Sequence, residues 1–118
     1  MRKVKIDDII SRLNIRNDNG ASRQFIRIFS RVVRDYLDYK RWVNSMISKN
    51  GQYQNRGQGE IIPRFIEYIY LIEDIAENGI KEPVKEFNDG MGYEIDGYHR
   101  MIIWKELGHD TIEIGKYE

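Results

Sequence analysis

Four consecutive residues, Gly97, Tyr98, His99 and Arg100, stand where an apolar stretch breaks at Asp96-Gly97 and an amphipathic helix opens. A strand that ends at a glycine and turns straight into a helix directs backbone N–H groups, and the positive end of the helix dipole, at one point in space. Proteins often hold phosphate in this way. A histidine beside an arginine at such a helix start is unusual unless it meets an anion. The dipole and Arg100 favour its neutral imidazole, which still donates one hydrogen bond. Asp96 ends the strand beside this turn, where it could coordinate Mg²⁺, act as a base, or only cap the helix. Glu94 shares its strand face at period two. Two carboxylates on one face could form a metal-dependent nuclease site, although solvent-exposed strand residues read the same way.

Several elements must position these residues. The opening RKVKI alternates charged and apolar residues and predicts a short edge strand over 3–6, followed by a brief helical turn over DDIISRLN, capped by Asp7 or Asp8. Asn19-Gly20 is a turn signal. Over 22–48, apolar residues from Phe25 to Ile47 recur at helical spacing, predicting one long amphipathic helix, or two with a break. Arg23, Arg27, Arg31 and Arg34 form a stripe on its other face. The Gly-, Gln- and Asn-rich residues 50–60 read as a loop. A helix is expected over 64–77 behind Pro63, with Phe65, Ile66, Ile69, Ile72 and Ile75 inward and Asn78-Gly79 as its stop. EPVKEF and YEID then read as strands joined by the turn NDGMG, the next helix covers 98–107 with Gly108 as its stop, and TIEI is the last strand. Strand, helix and strand in so short a span predict a parallel crossover.

Composition bounds the chemistry. The 118 residues suit one α+β domain able to bury its own core. The absence of cysteine excludes disulfides, cysteine-based zinc sites, thiol redox chemistry and a cysteine nucleophile. No apolar run approaches the roughly 20 residues that span a bilayer, and the N-terminus lacks a continuous apolar leader core. A soluble, cytoplasmic protein with no membrane partner is the expectation. Isoleucine is abundant and alanine scarce, which reads as the codon bias of an AT-rich genome, such as that of a virus or mobile element. The net charge is zero, but residues 1–66 hold 14 Lys and Arg against 6 Asp and Glu, while residues 67–118 hold 5 against 13. Such division hints at nucleic acid or a charged partner, or else the halves neutralise one another within the fold.

The stretch LIEDIAENGIKEPVKEF, followed by YEIDGYHRMIIWKELGHDTIEI, resembles the ParB/sulfiredoxin superfamily. The pattern is a helix ending in Gly, a Pro-led strand, a hairpin, a strand into Gly-x-x-Arg, an apolar helix and a Leu-Gly to Thr-Ile return. The likeness covers residues 65–115, and VKIDDI with LNIRND fits the family's opening more loosely. It implies a small mixed β-sheet with flanking helices, and a nucleotide whose phosphates are received at Gly97, Tyr98, His99 and Arg100. Arg16 would approach the same phosphates. The nucleotide would be ATP, ADP or CTP, arriving with Mg²⁺, and Glu82 would be a candidate catalytic base. Tyr98 stands where sulfiredoxins carry their cysteine, so that chemistry is ruled out. The turn reads Gly-Tyr-His-Arg rather than the Gly-Glu-Arg-Arg of partition proteins, and residues 20–60 form a helical insertion.

The resemblance points to a nucleotide-binding protein acting on or near DNA, as a nucleotide-gated binder, nucleotide hydrolase or nuclease. The arginine stripe would track the backbone, or else pair with acidic groups. One alternative is a small-molecule kinase acting on a free amino acid, with Asp96, His99 or Glu82 activating the hydroxyl. Another is a non-catalytic interaction module, in which the long helix carrying Trp42 supports a homodimer. Trp42 and Trp104 read as core or interface residues, and His109 as a solvent residue.

Overall fold

The computed structural model describes residues 1–16, 21–43 and 61–116, with side chains described at 1–14, 23–40 and 66–116. Strand β1 (Arg2–Lys5) runs directly into helix α1 (Ile6–Arg16), and helices α2 (Ala21–Val43) and α3 (Ile61–Asn78) follow. Strands β2 (Val84–Asn88) and β3 (Tyr93–Asp96) form a hairpin, and helix α4 (Tyr98–Glu106) leads to strand β4 (Thr111–Lys116). The expected turn at Asn19-Gly20, loop 50–60 and the side chain of Trp42 lie outside the described residues.

Helix α1 is longer than the brief turn expected, because Ile6, Ile9 and Leu13 keep helical spacing and are all buried. Its first backbone N–H donates to the Asp110 carbonyl at 2.9 Å, which ties the β1–α1 junction to the start of β4. In α2, Ile26, Phe29, Val33 and Tyr36 are buried on one stripe. Phe25 and Ile66, both expected inward, are instead 38% and 47% exposed. The apolar stripes of their helices are wider than the surface that covers them. Helices α2 and α3 are further joined by Glu73, which accepts from the Tyr36 hydroxyl at 2.7 Å and from Lys40 Nζ at 2.8 Å.

The four strands make a mixed sheet in the order β1-β4-β2-β3. The β1–β4 and β2–β3 pairs are antiparallel, and β2–β4 is parallel. The parallel crossover expected between β3 and β4 is therefore corrected: the parallel partner of β4 is β2, and β3 lies outside it as an edge strand. The hairpin returns β3 antiparallel beside β2, so the chain must pass over β2 to place β4 between β2 and β1. That hairpin turn is held by side chains, with Gly90 N–H donating to Asn88 Oδ1 at 3.0 Å and Met91 N–H to Asp89 Oδ1 at 2.9 Å.

Alternation along the strands separates two faces. Val4, Ile112, Ile114, Val84 and Ile95 face the helices and join one core with Ile6, Leu13, Val33, Ile72, Met101, Ile102 and Ile103. The other face carries Lys3 opposite Glu113 and Lys85 opposite Asp96, which are oppositely charged cross-strand neighbours. Helix α4 is buried through Met101, Ile102 and Ile103, three consecutive residues, so it is surrounded rather than amphipathic. The sheet lies beneath it and α2 packs along it. This central placement fixes where its N-terminus points.

Candidate phosphate-binding turn

Strand β3 ends at Asp96, and Gly97 is the N-cap of α4, with φ 120° and ψ 33°. Gly97, not Asp96, therefore caps the helix; its carbonyl accepts from Met101 N–H at 3.0 Å. Only glycine adopts that φ readily. A second constraint coincides with the first: a Cβ on Gly97 would lie 2.8 Å from Arg100 Nη2 and 3.0 Å from Val84 Cγ2. Arg100 thus folds back over its own N-cap.

The Arg100 guanidinium reaches the carbonyls of Pro83 and Asp96, both at 3.5 Å from Nη2, and Nη1 stands 3.5 Å from Glu82 Oε2. Glu82 is a weak tether, because its side chain is 86% exposed against 22% for Arg100. Arg100 Nε is buried and has no partner among the described residues. A largely buried cation with only long contacts has unused donor capacity. Of the residues singled out in the sequence, Glu82, Asp96, Gly97 and Arg100 are brought together here.

Tyr98 and Glu94 form the next layer. The Tyr98 hydroxyl donates to Glu94 Oε1 at 2.6 Å, and the same oxygen accepts from Ile95 N–H at 2.9 Å. Glu94 and Asp96 share the strand face that alternation predicts, but Glu94 is held by Tyr98.

His99 sits in an aromatic cluster. Its ring centroid lies 4.7 Å from Phe29, 5.4 Å from Phe25 and 5.2 Å from Tyr68, edge-on to the two phenylalanines and stacked on the tyrosine. Burial first, and Arg100 second, lower its pKa, so the ring is neutral at pH 7. The neutral form was expected from Arg100 and the helix dipole; the larger cause is burial. Its Nε2 is buried with no partner among the described residues.

A cavity of about 560 Å³ opens at this turn, lined by residues 94–100 together with Phe25 of α2 and Leu71 of α3. It lies within the roughly 300–1,000 Å³ of small-molecule pockets. Phe25, Leu71, Phe29 and Tyr68 were missed as site residues. Their apolar spacing reads as core, and nothing in it says that α2 lies across the start of α4.

The remaining sequence candidates stand elsewhere. Arg16 closes α1, and its side chain lies outside the described residues. Arg23, Arg27 and Arg31 are exposed on α2. Arg34, the fourth of the stripe, is engaged with α4: its Nε and Nη2 donate to the Glu106 carboxylate at 3.2 Å and 3.5 Å. The charge division between halves is partly spent inside the fold, through Arg34–Glu106, Arg2–Glu86, Arg12–Glu86 and Lys40–Glu73. Trp104 is half-buried, donates its indole N–H to the Thr111 carbonyl at 3.0 Å and stacks on exposed His109 at 3.6 Å.

No cluster of three His, Asp or Glu able to hold a metal ion occurs among the described residues. No helix there is long and apolar enough to cross a membrane. A scan of protein-family models finds no match to the chain, and comparisons with curated proteins and with solved structures find none.

Proposed function

We propose that this chain is a nucleotide-binding domain of the ParB-like kind, acting on or near DNA, with its phosphate site at residues 97–100. The observation that carries the reading is the state of Arg100. Its guanidinium is confined beside a cavity, its nearest oxygens stand at 3.5 Å, and Nε is buried with no described partner. An unmet buried donor costs about 1–3 kcal/mol, and a charged one more. An anionic oxygen entering the cavity would meet it.

The chain's own groups divide the work. Gly97 allows close approach of the phosphate to the backbone and leaves room for the guanidinium. Arg100 exchanges its loose contact with exposed Glu82 for a charge-assisted pair with phosphate. Phe25 and Leu71 wall the cavity and keep water from that pair. Magnesium carried by the nucleotide would screen the phosphate charge, and Asp96, at the cavity edge, is the carboxylate suited to meet it. Arg23, Arg27 and Arg31 are the exposed cations available to a DNA backbone.

A second reading, phosphoryl transfer to a small hydroxyl compound, is favoured by one feature. Glu94 and Asp96 line the same cavity as Arg100, so a carboxylate base and a phosphate-binding cation would face one space. Both readings require nucleotide at the turn. Calorimetric titration of ATP, ADP, CTP and GTP with Mg²⁺, into the wild type and an Arg100→Ala variant, tests that requirement. Binding of one nucleotide, lost in the variant, is expected. No binding by the wild type contradicts both readings.

A further inference from the structure

The helix-covered face of the sheet changes character toward the β2–β3 turn. Beyond the apolar pair of Val84 and Ile114 it carries Lys116 on β4, Glu86 and Asn88 on β2, and Ile95 and Tyr93 on β3. Glu86 is directly opposite Lys116, and Asn88 opposite Tyr93. Arg2 reaches in from β1 and Arg12 from α1. Arg12, Glu86, Asn88, Tyr93 and Lys116 border a cleft of about 650 Å³, which shares no lining residue with the cavity at Gly97.

Glu86 is only 7% exposed, and both of its oxygens are taken. One accepts from Arg2, and the other from the Tyr93 hydroxyl at 2.9 Å. Arg12 is held differently. Its guanidinium carbon lies 3.8 Å above the centre of the Tyr93 ring, and Nη1 stands 3.8 Å from Glu86 Oε2, beyond hydrogen-bond reach. The ring fixes the plane of the guanidinium while its N–H donors make no hydrogen bond among the described residues. Arg12 is thus paired with Glu86 only at long range, and Lys116 has no ion-pair partner among the described residues. Asn88 Oδ1 is occupied by Gly90 N–H, which leaves the amide NH₂ as its donor group. Three cations thus surround one saturated carboxylate, and two of them, on different elements, line the cleft with uncommitted donors.

We propose that this cleft is a second binding site, for a small ligand bearing a multiply charged anionic group, either a phosphate or a pair of carboxylates. Arg12 and Lys116 are its ligating cations, Asn88 supplies a neutral donor, and Tyr93 and Glu86 are positioning residues that hold Arg12 and Arg2. The apolar edge of the cleft, the Tyr93 ring, fits an organic body attached to the anion. The site is independent of the turn at residues 97–100.

The test is a titration of the ¹⁵N-labelled full chain with inorganic phosphate and, separately, with succinate, read by NMR. Saturable shifts of the Arg12 Nε–H and the Asn88 side-chain amide are expected. They should require at least tenfold more ligand in Arg12→Gln and in Lys116→Gln. Lys116 makes no described side-chain contact, so its variant should fold even if the other does not. Tighter response to phosphate identifies a phosphoryl ligand, and tighter response to succinate a dicarboxylate. The proposal is overturned if neither anion gives saturable shifts, if the shifts fall only at residues 97–101, or if both variants respond like the wild type.

Discussion

The guanidinium of Arg100 lies over the α-carbon of Gly97, so close that a Cβ there would stand 2.8 Å from Nη2. Arginine and glycine of this turn are therefore one unit: the glycine is the floor on which the arginine rests. The backbone at φ 120° demands glycine as well. Gly97→Ala should destabilise the fold by about 1–3 kcal/mol, the usual range for strain of this kind. In an Arg100→Ala background the loss should be smaller, because one of the two close contacts is gone while Val84 Cγ2 and the strain remain. Chemical denaturation of the four proteins in the cycle measures the difference.

His99 should make the fold sensitive to acid. Its folded pKa is lowered from 6.5 by burial and by Arg100, so the unfolded chain binds the proton more readily. The associated stability is complete above 6.5 and is lost as pH falls through the lowered folded value. His99→Phe keeps the aromatic packing with Phe25, Phe29 and Tyr68 but has no titrating group. It should flatten the stability profile below that pH, which denaturation midpoints across a pH series would reveal. An unchanged slope would mean that the ring is not buried neutral.

Glu86 should act over a more acidic range. Hydrogen bonding from Arg2, against a smaller opposing effect of burial, and then from Tyr93, lowers its pKa. Its contribution is present above the ordinary carboxylate value and disappears as pH falls through the lowered one. Glu86→Ala leaves the half-buried Tyr93 hydroxyl without its acceptor, a loss of about 1–3 kcal/mol. Glu86→Gln should lose less at neutral pH and remove that part of the acid dependence. Urea titrations at neutral and acidic pH compare the three proteins.

The arginine stripe should behave as three residues, because Arg34 is paired with Glu106. If DNA is retained, three phosphate contacts predict a log–log salt slope near −2.7, at about −0.9 per contact. Gln at positions 23, 27 and 31 should abolish retention without unfolding the chain, while Arg34→Gln should lower stability and leave the slope unchanged. Fluorescence anisotropy of labelled duplex DNA across a salt series reads both.

The sequence made the strand–turn–helix at Asp96-Gly97 legible, because an alternating strand, a glycine and an apolar helix are all local signals. Gly79 and Gly108 stop their helices for the same local reason. What could not be read was side-chain direction after the turn. Nothing in Gly-Tyr-His-Arg says that His99 turns into a cluster built from α2 and α3, or that Tyr98 clasps Glu94. The His99 contacts depend on helices more than 20 residues away in sequence, and the Tyr98 clasp depends on how the turn aims its ring back along β3. Helical periodicity in Phe25 and Ile66 was real but marked a stripe wider than the core that receives it. The parallel crossover was misassigned because spacing reports that a helix separates two strands, not that β2 already occupies the place between them.

The central claim, that residues 97–100 receive phosphate, is tested most directly at the Arg100 Nε–H, the buried donor left without a described partner. Its resonance in the ¹⁵N-labelled chain should be followed while ADP and Mg²⁺ are added. A shift that saturates in step with the calorimetric titration is expected, because a charge-assisted bond forms at that atom. Nucleotide binding with the Arg100 signal unmoved would put the phosphates elsewhere and overturn the assignment of residues 97–100.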